Sequence, residues 1–139
     1  MWQRHYETTT DVPAEKLFRA IADIDHWNEW DSGLERTRLN GVAKPGASFV
    51  LKPKGGRDVR MSIEELSAPE RLVDVAHLPM AKIRTSHEFL QSGDLTTVRF
   101  TVQVWGMLGY FWRKVVGEKQ IEEAPAQTAC FIQYARARP

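Results

Sequence analysis

The chain has a single cysteine, Cys130, so no intrachain disulfide can staple it, and a reducing cytoplasm is the expected setting. Cys130 itself reads as a small packed hydrophobe beside Phe131. Metal-binding spacing is missing too. His5, His26, His77 and His87 form no helical i, i+3 or i, i+4 pair, and neither Cys-x-x-Cys nor His-Glu-x-x-His occurs, so no metal or cofactor is expected. Gly-x-Ser-x-Gly is absent, and with it the usual mark of a hydrolase elbow. No run of 18 apolar residues exists, so no membrane span is expected, and the polar start Met1-Trp2-Gln3-Arg4-His5 lacks the apolar core of a secretion signal. Charge of one sign is not in excess: 19 Lys and Arg face 18 Asp and Glu, for a net +1. That balance makes no electrostatic case for nucleic acid or for an anionic membrane as partner. There is no repeat, low-complexity segment or linker, so residues 1–139 read as one domain, monomeric or homodimeric.

What is present is an ordinary globular composition, 42% hydrophobic and 27% charged, in a chain long enough to bury a core. Residues 2–10, with Trp2, Tyr6, Thr8 and Thr10 at one parity, read as a strand. Asp11 can cap a helix and Pro13 suits a first turn, and Leu17, Phe18, Ile21 and Ala22 then follow helical spacing over 13–22. A second short helix is expected at 24–29, carrying Trp27 and leading to Trp30. From 34 onward the period is two. Strands are expected at 34–40, 47–53, 58–66, 71–78, 82–90 and 95–105, joined by turns at Lys44-Pro45-Gly46, Lys54-Gly55-Gly56-Arg57, Ser67-Ala68-Pro69-Glu70, Leu78-Pro79-Met80 and Gln91-Ser92-Gly93-Asp94. Such short connections predict an antiparallel meander.

The last third, from Gly106 to Arg136, reads as one long helix with a change of phase. Leu108, Phe111, Trp112 and Val115 make one stripe; Gly117, Ile121, Ala124, Thr128, Phe131 and Ala135 make another. The two stripes re-phase near Gly117, and Pro125 is expected to bend the helix or start a new segment. The part with Phe111 and Val115 then becomes a pocket lid and the part after Pro125 a clamp on the sheet.

Several local strings in this order resemble the START-like superfamily, also called the polyketide cyclase/dehydrase or SRPBCC superfamily. They are Val12-Pro13-Ala14-Glu15-Lys16-Leu17-Phe18, Ala22-Asp23-Ile24-Asp25-His26-Trp27-Asn28-Glu29-Trp30, Lys44-Pro45-Gly46, Ala68-Pro69-Glu70-Arg71-Leu72 and Gly106-Met107-Leu108-Gly109. Gly93-Asp94-Leu95-Thr96 departs from the family's usual glycine run. The resemblance covers almost the whole chain. It implies an α+β helix-grip fold: a curved antiparallel seven-stranded sheet, two short helices after the first strand, and a long C-terminal helix across the concave face. It carries no subfamily motif from which a catalytic residue transfers.

His87 is the candidate polar residue of the interior. Alternation on 82–90 puts Ile83, Thr85, His87 and Phe89 together, and a turn centred near residue 80 sets His87 opposite Val73, Thr85 opposite Val75, and His87 opposite Val98. A buried imidazole needs a partner, which a Tyr, Thr or water can supply as well as a ligand. The expected ligand-binding set is Trp30, Phe49, Met61, Val75, Thr85, His87, Phe89, Phe100, Phe111 and Val115. Trp27 reads as packing alone. Asp23, Asp25 and Asp31 read as caps and turn formers rather than a carboxylate pair. Lys52, Lys54, Arg57 and Arg60 around Gly55-Gly56 read as a solvated hairpin tip, since no helix N-terminus follows the glycines to hold a phosphate.

Three functions are compatible with these residues. The first is binding of a small hydrophobic or amphipathic ligand, of lipid, polyketide or aromatic type, between sheet and helix. The second is a cyclase or dehydratase using His87 as acid/base with Thr85 or Tyr6 nearby. The third is a protein-interaction or stress-response module with a small or filled pocket.

Overall fold

The computed structural model describes all residues, 1–139. Strand β1 (Trp2–Thr10) leads to helix α1 (Ala14–Ala22) and a 3-10 helix (Ile24–Glu29). Six strands follow: β2 (Leu34–Leu39), β3 (Ser48–Pro53), β4 (Val59–Ser67), β5 (Arg71–Leu78), β6 (Ala81–Ser92) and β7 (Leu95–Trp105). The chain ends in α2 (Gly109–Trp112), a π-helical turn (Arg113–Gly117) and α3 (Glu118–Ala137). The sheet is seven-stranded and antiparallel in the order β1-β7-β6-β5-β4-β3-β2, so only the β1–β7 pairing joins strands distant in sequence. No helix is long and apolar enough to cross a membrane.

Helix α1 buries Ala14, Leu17, Phe18, Ala20 and Ile21, the 3.6-residue stripe expected of an amphipathic helix. Its start differs from expectation. Asp11 does not cap it; the Ala14 N–H donates to Gln91 Oε1 at 2.9 Å, and Asp11 instead pairs with Arg136 at 2.8 Å. The 3-10 helix is pinned onto β2. The Thr37 hydroxyl donates to the Ile24 carbonyl, Asp25 Oδ1 accepts from the Leu39 N–H at 2.7 Å, and Asn28 Nδ2 donates to the Glu35 carbonyl at 3.1 Å.

The core has two parts. The larger unites α1, the 3-10 helix, the inner face of β2–β6 with Val98 of β7, and the C-terminal half of α3, with Phe49, Ile63, Leu72 and Phe89 almost completely buried. Each such side chain contributes roughly 1.5–3 kcal/mol on burial. The smaller is Ile83, Val102 and Val104, against which Trp2, Trp112, Val116 and Ile121 pack.

The C-terminal re-phasing takes the form of the π-helical turn, which inserts an extra residue into one turn and rotates everything after it. From the end of that turn onward, Gly117, Ala124, Thr128, Phe131 and Ala135 are buried. Gly117 is seated where a Cβ would lie 2.9 Å from the Trp2 ring and 3.1 Å from Val104. Helix α3 runs through Pro125 rather than breaking there. Pro125 is exposed while Ala124 and Thr128 are buried, so packing on both sides outweighs the one missing hydrogen bond. Cys130 is exposed, because the buried face of α3 is set by Thr128, Phe131 and Ala135 and leaves it outside.

Candidate functional site

The inner face is defined by cross-strand pairing, since directly paired residues share a side. His87 pairs with Leu72 on β5 and with Phe100 on β7. This differs from the expected Val73 and Val98. The reason is the length of the connections: Leu78 pairs with Ala81 and Ser92 with Leu95, so each hairpin has only two loop residues. A one-residue shift in β5 exchanges its faces. Leu72, Asp74 and Ala76 therefore face inward. Val73 and Val75 face outward, paired with Ser86 and Arg84.

Val75 is buried on that outer side, where the Arg84–Glu64 ion pair at 3.0 Å spans from β6 to β4 across β5. It cannot touch an interior ligand. The reversal brings Asp74 inside, onto the face of Thr85. Asp74 Oδ2 lies 3.2 Å from His87 Nε2, and both side chains are largely removed from water, 4% and 14% exposed. A carboxylate that accepts this bond places the hydrogen on Nε2 and leaves Nδ1 as the ring's acceptor. His87 is further enclosed by Trp27 and Phe100, with ring centroids 6.1 and 5.7 Å away.

A chain of aromatic contacts closes the space beneath α3. Trp27 meets Phe49 at 5.4 Å and Trp30 at 6.1 Å; Trp30 meets Phe131 at 4.9 Å; Phe131 stacks on Phe89 at 5.9 Å. The pinned 3-10 helix supplies Trp27, and Trp30 follows directly after its last residue. Trp27 is a packing residue, with its indole N–H donating to the Ile21 carbonyl at 2.8 Å. Trp30 differs: its Nε1 is buried and has no hydrogen-bond partner. An unmet buried donor costs about 1–3 kcal/mol, so this indole is a place where an acceptor would gain.

The void that remains holds about 30 Å³. It is bounded by Trp30, His87, Phe89 and Phe100 from the expected set, together with Phe131, Thr128 and Gln127 of α3 and Ile21 of α1. Phe49, Met61 and Thr85 share the inner face and are buried in the core, away from this void. Phe111 and Val115 are 52% and 49% exposed and lie outside it. Trp112 and Val116 are the side chains of this stretch that pack onto the sheet, which leaves the Phe111 and Val115 stripe facing solvent. Neighbouring Asp31 has its carboxyl pushed above the usual range, first by burial, although the Gly33 N–H that donates to it at 2.9 Å and the nearby Gln127 side chain act the other way. Asp23, Asp25 and Asp31 each have separate partners and form no pair.

A half-closed antiparallel sheet holding a long helix over an acid–imidazole pair defines a helix-grip protein with a ligand-binding fold. By sequence, residues 1–127 match the family described as polyketide cyclase / dehydrase and lipid transport, and the chain belongs to that family. No curated protein sequence matches it. Among solved structures, a protein of Mesorhizobium loti is similar over 99% of this chain and 100% of its own, at TM-score 0.78 and 16% identity. A START superfamily protein of Mycobacterium smegmatis aligns over 95% of this chain and 98% of its own, at TM-score 0.72 and 14% identity. Norcoclaurine synthase of Thalictrum flavum, in complex with dopamine and hydroxybenzaldehyde, aligns over 99% of this chain and 88% of its own, at TM-score 0.73 and 12% identity. Likeness at these identities establishes the fold alone.

Proposed function

We propose that the chain binds a small hydrophobic or amphipathic ligand between the sheet and α3, with the His87–Asp74 pair and the Trp30 indole as its polar anchors. The observation that carries this reading is a void lined by both His87 and Trp30, the latter with a buried Nε1 that has no hydrogen-bond partner. Polar groups of this kind, set among Phe89, Phe100 and Phe131, are the usual mixture of a small-molecule site: apolar walls and a few oriented hydrogen-bonding groups. At about 30 Å³ the void accommodates a water, whereas ligand sites run to roughly 300 Å³ or more, so binding needs an opened form. Phe131 and the Gln127–Phe131 stretch of α3 are the parts that must move, because they close the void from the side opposite the sheet. The closed form is the one a bound ligand competes against, and weak occupancy of the open form lowers apparent affinity in proportion.

The test is native mass spectrometry on freshly purified protein, with small aromatic aldehydes and amines, of the type bound by the norcoclaurine synthase of like fold, as added probes. A stoichiometric adduct that weakens in His87→Ala supports the reading. A bare mass under every condition counts against it.

The second reading is acid/base catalysis in the same space, and the His87–Asp74 contact favours it. A carboxylate that orients an imidazole and holds one tautomer is a positioning device for proton transfer. Turnover of a bound probe that survives unchanged in His87→Ala would remove it.

A further inference from the structure

In an antiparallel meander, alternate connections emerge from the same end of the sheet. The β3–β4 hairpin tip, the β5–β6 turn, the start of β1 and helix α2 therefore share one end. Two of these pieces are tied directly: the Leu108 N–H donates to the Met80 carbonyl at 2.9 Å, and Trp112 Nε1 donates to the Pro79 carbonyl at 2.9 Å. Gly106 permits the approach, since with φ +115° it has no Cβ to collide with Ala81 and Met80, which a Cβ would meet at 2.7 Å.

This joined corner displays apolar side chains to solvent. Met80, Met107, Leu108, Phe111 and Val115 are all exposed, Met107 by 85%, and Tyr110 stands beside them. Nothing in the chain covers them. Isolated exposed apolar residues are unremarkable, but a contiguous group on one turn tip and one helix start marks an interaction surface.

The same end is basic. Lys54, Arg57, Arg60 and Lys82 are exposed and have no carboxylate within ion-pair distance, while Arg113 and Lys114 share the single carboxylate of Glu118. Asp58, the acid at the hairpin tip, is paired with Arg36. At the opposite end the turns carry Lys44, Glu70 and Asp94. The net charge of +1 thus hides a concentration of unpaired cations at the first end.

We infer that this end docks on an anionic lipid bilayer, with Met80, Met107, Leu108 and Phe111 entering the interface and the Lys and Arg side chains lying among the headgroups. The arrangement matches what an interfacial segment requires: a small apolar wedge, cations at its rim, and an aromatic of mixed character, Tyr110, at headgroup depth. Charge complementarity selects this occupant over a second copy of the chain. A two-fold contact through this face would set cations against cations. The inference does not rest on the interior ligand site.

The test is co-sedimentation of the full chain, without added ligand, with phosphatidylcholine vesicles and with vesicles also containing phosphatidylserine. Binding is expected to the second kind, and to fall with added salt. Lys54→Glu with Arg57→Glu, and separately Leu108→Ser with Phe111→Ser, are each expected to lower the partition about tenfold or more. All four positions are exposed, so melting temperature should stay unchanged and serves as the folding control. Absence of binding to the anionic vesicles overturns the inference, as does binding indifferent to both double variants. A dimer in analytical ultracentrifugation that Leu108→Ser with Phe111→Ser dissolves also overturns it, by assigning the face to a second copy.

Discussion

His87 and Asp74 are diagonal neighbours across the β5–β6 ladder: His87 pairs with Leu72, Asp74 with Thr85, and the side chains close the gap at 3.2 Å. Diagonal positions on one face of a sheet are within reach of long side chains, and here the contact sits inside the grip. Removing one partner leaves the other buried and unpaired. Asp74→Ala is predicted to destabilise the fold by about 3 kcal/mol, and so is His87→Ala. The double substitution Asp74→Ala with His87→Ala is predicted to cost less than the two single losses together. Urea denaturation of the four proteins checks this. Additive losses would mean the contact contributes nothing as a pair.

Phe131 closes the void from the helix side, stacked on Phe89 and edge-on to Trp30. Phe131→Ala is predicted to cost about 3–5 kcal/mol, the usual result of emptying a buried aromatic position. The space created should be large enough to take benzene, which would recover part of the lost stability as a ligand of the folded state. Calorimetric melting with and without benzene reads both effects.

Gly106 holds a left-handed backbone against the β5–β6 turn. Gly106→Ala combines backbone strain with a contact onto main-chain atoms, and is predicted to cost about 2 kcal/mol or more. The loss should appear as faster amide hydrogen exchange over α2 and the π-helical turn, before it appears in α3. Uniform change along the chain would contradict the local role given to this glycine.

His77 has its proton affinity lowered from the ordinary value of 6.5, first by burial and then by the charges of Arg60 and Lys82. It hydrogen-bonds Ser62 Oγ at 2.9 Å on the outer face. The unfolded chain therefore binds this proton more readily than the folded chain. Stability is full above pH 6.5, falls as pH drops below 6.5, and levels out below the folded value. His77→Gln is predicted to flatten that part of the stability profile, measured by urea midpoints across the range.

Much of this fold was legible because β7, α1 and the second half of the C-terminal helix have clear periods. Val98, Val102 and Val104 alternate with Arg99 and Gln103; Leu17, Phe18 and Ile21 share a helical face; Thr128, Phe131 and Ala135 share another. The change of phase near Gly117 was readable for the same reason. Asp74 was not. Strand β5 is apolar at both parities, with Leu72 and Ala76 on one side and Val73 and Val75 on the other, so its pattern does not choose a face. Only the two-residue β5–β6 connection decides, and Val75 left the interior when Asp74 came in. A lone acid in a strand apolar on both sides was the available signal. Phe111 and Val115 misled differently: an apolar helical stripe states that a partner is needed, without stating that the partner lies in the same chain.

The central claim is that the interior opens around the His87–Asp74 pair to hold a ligand. It is tested most directly by amide nitrogen–proton correlation spectra recorded while 1-anilinonaphthalene-8-sulfonate, an amphipathic aromatic probe, is titrated into the labelled chain. The account predicts saturable shifts at His87, Asp74, Trp30 and the Thr128–Phe131 turn of α3, with the Trp30 indole signal moving as its Nε1 gains an acceptor. Shifts confined to Leu108, Tyr110 and Phe111, or no shift at all, would contradict it.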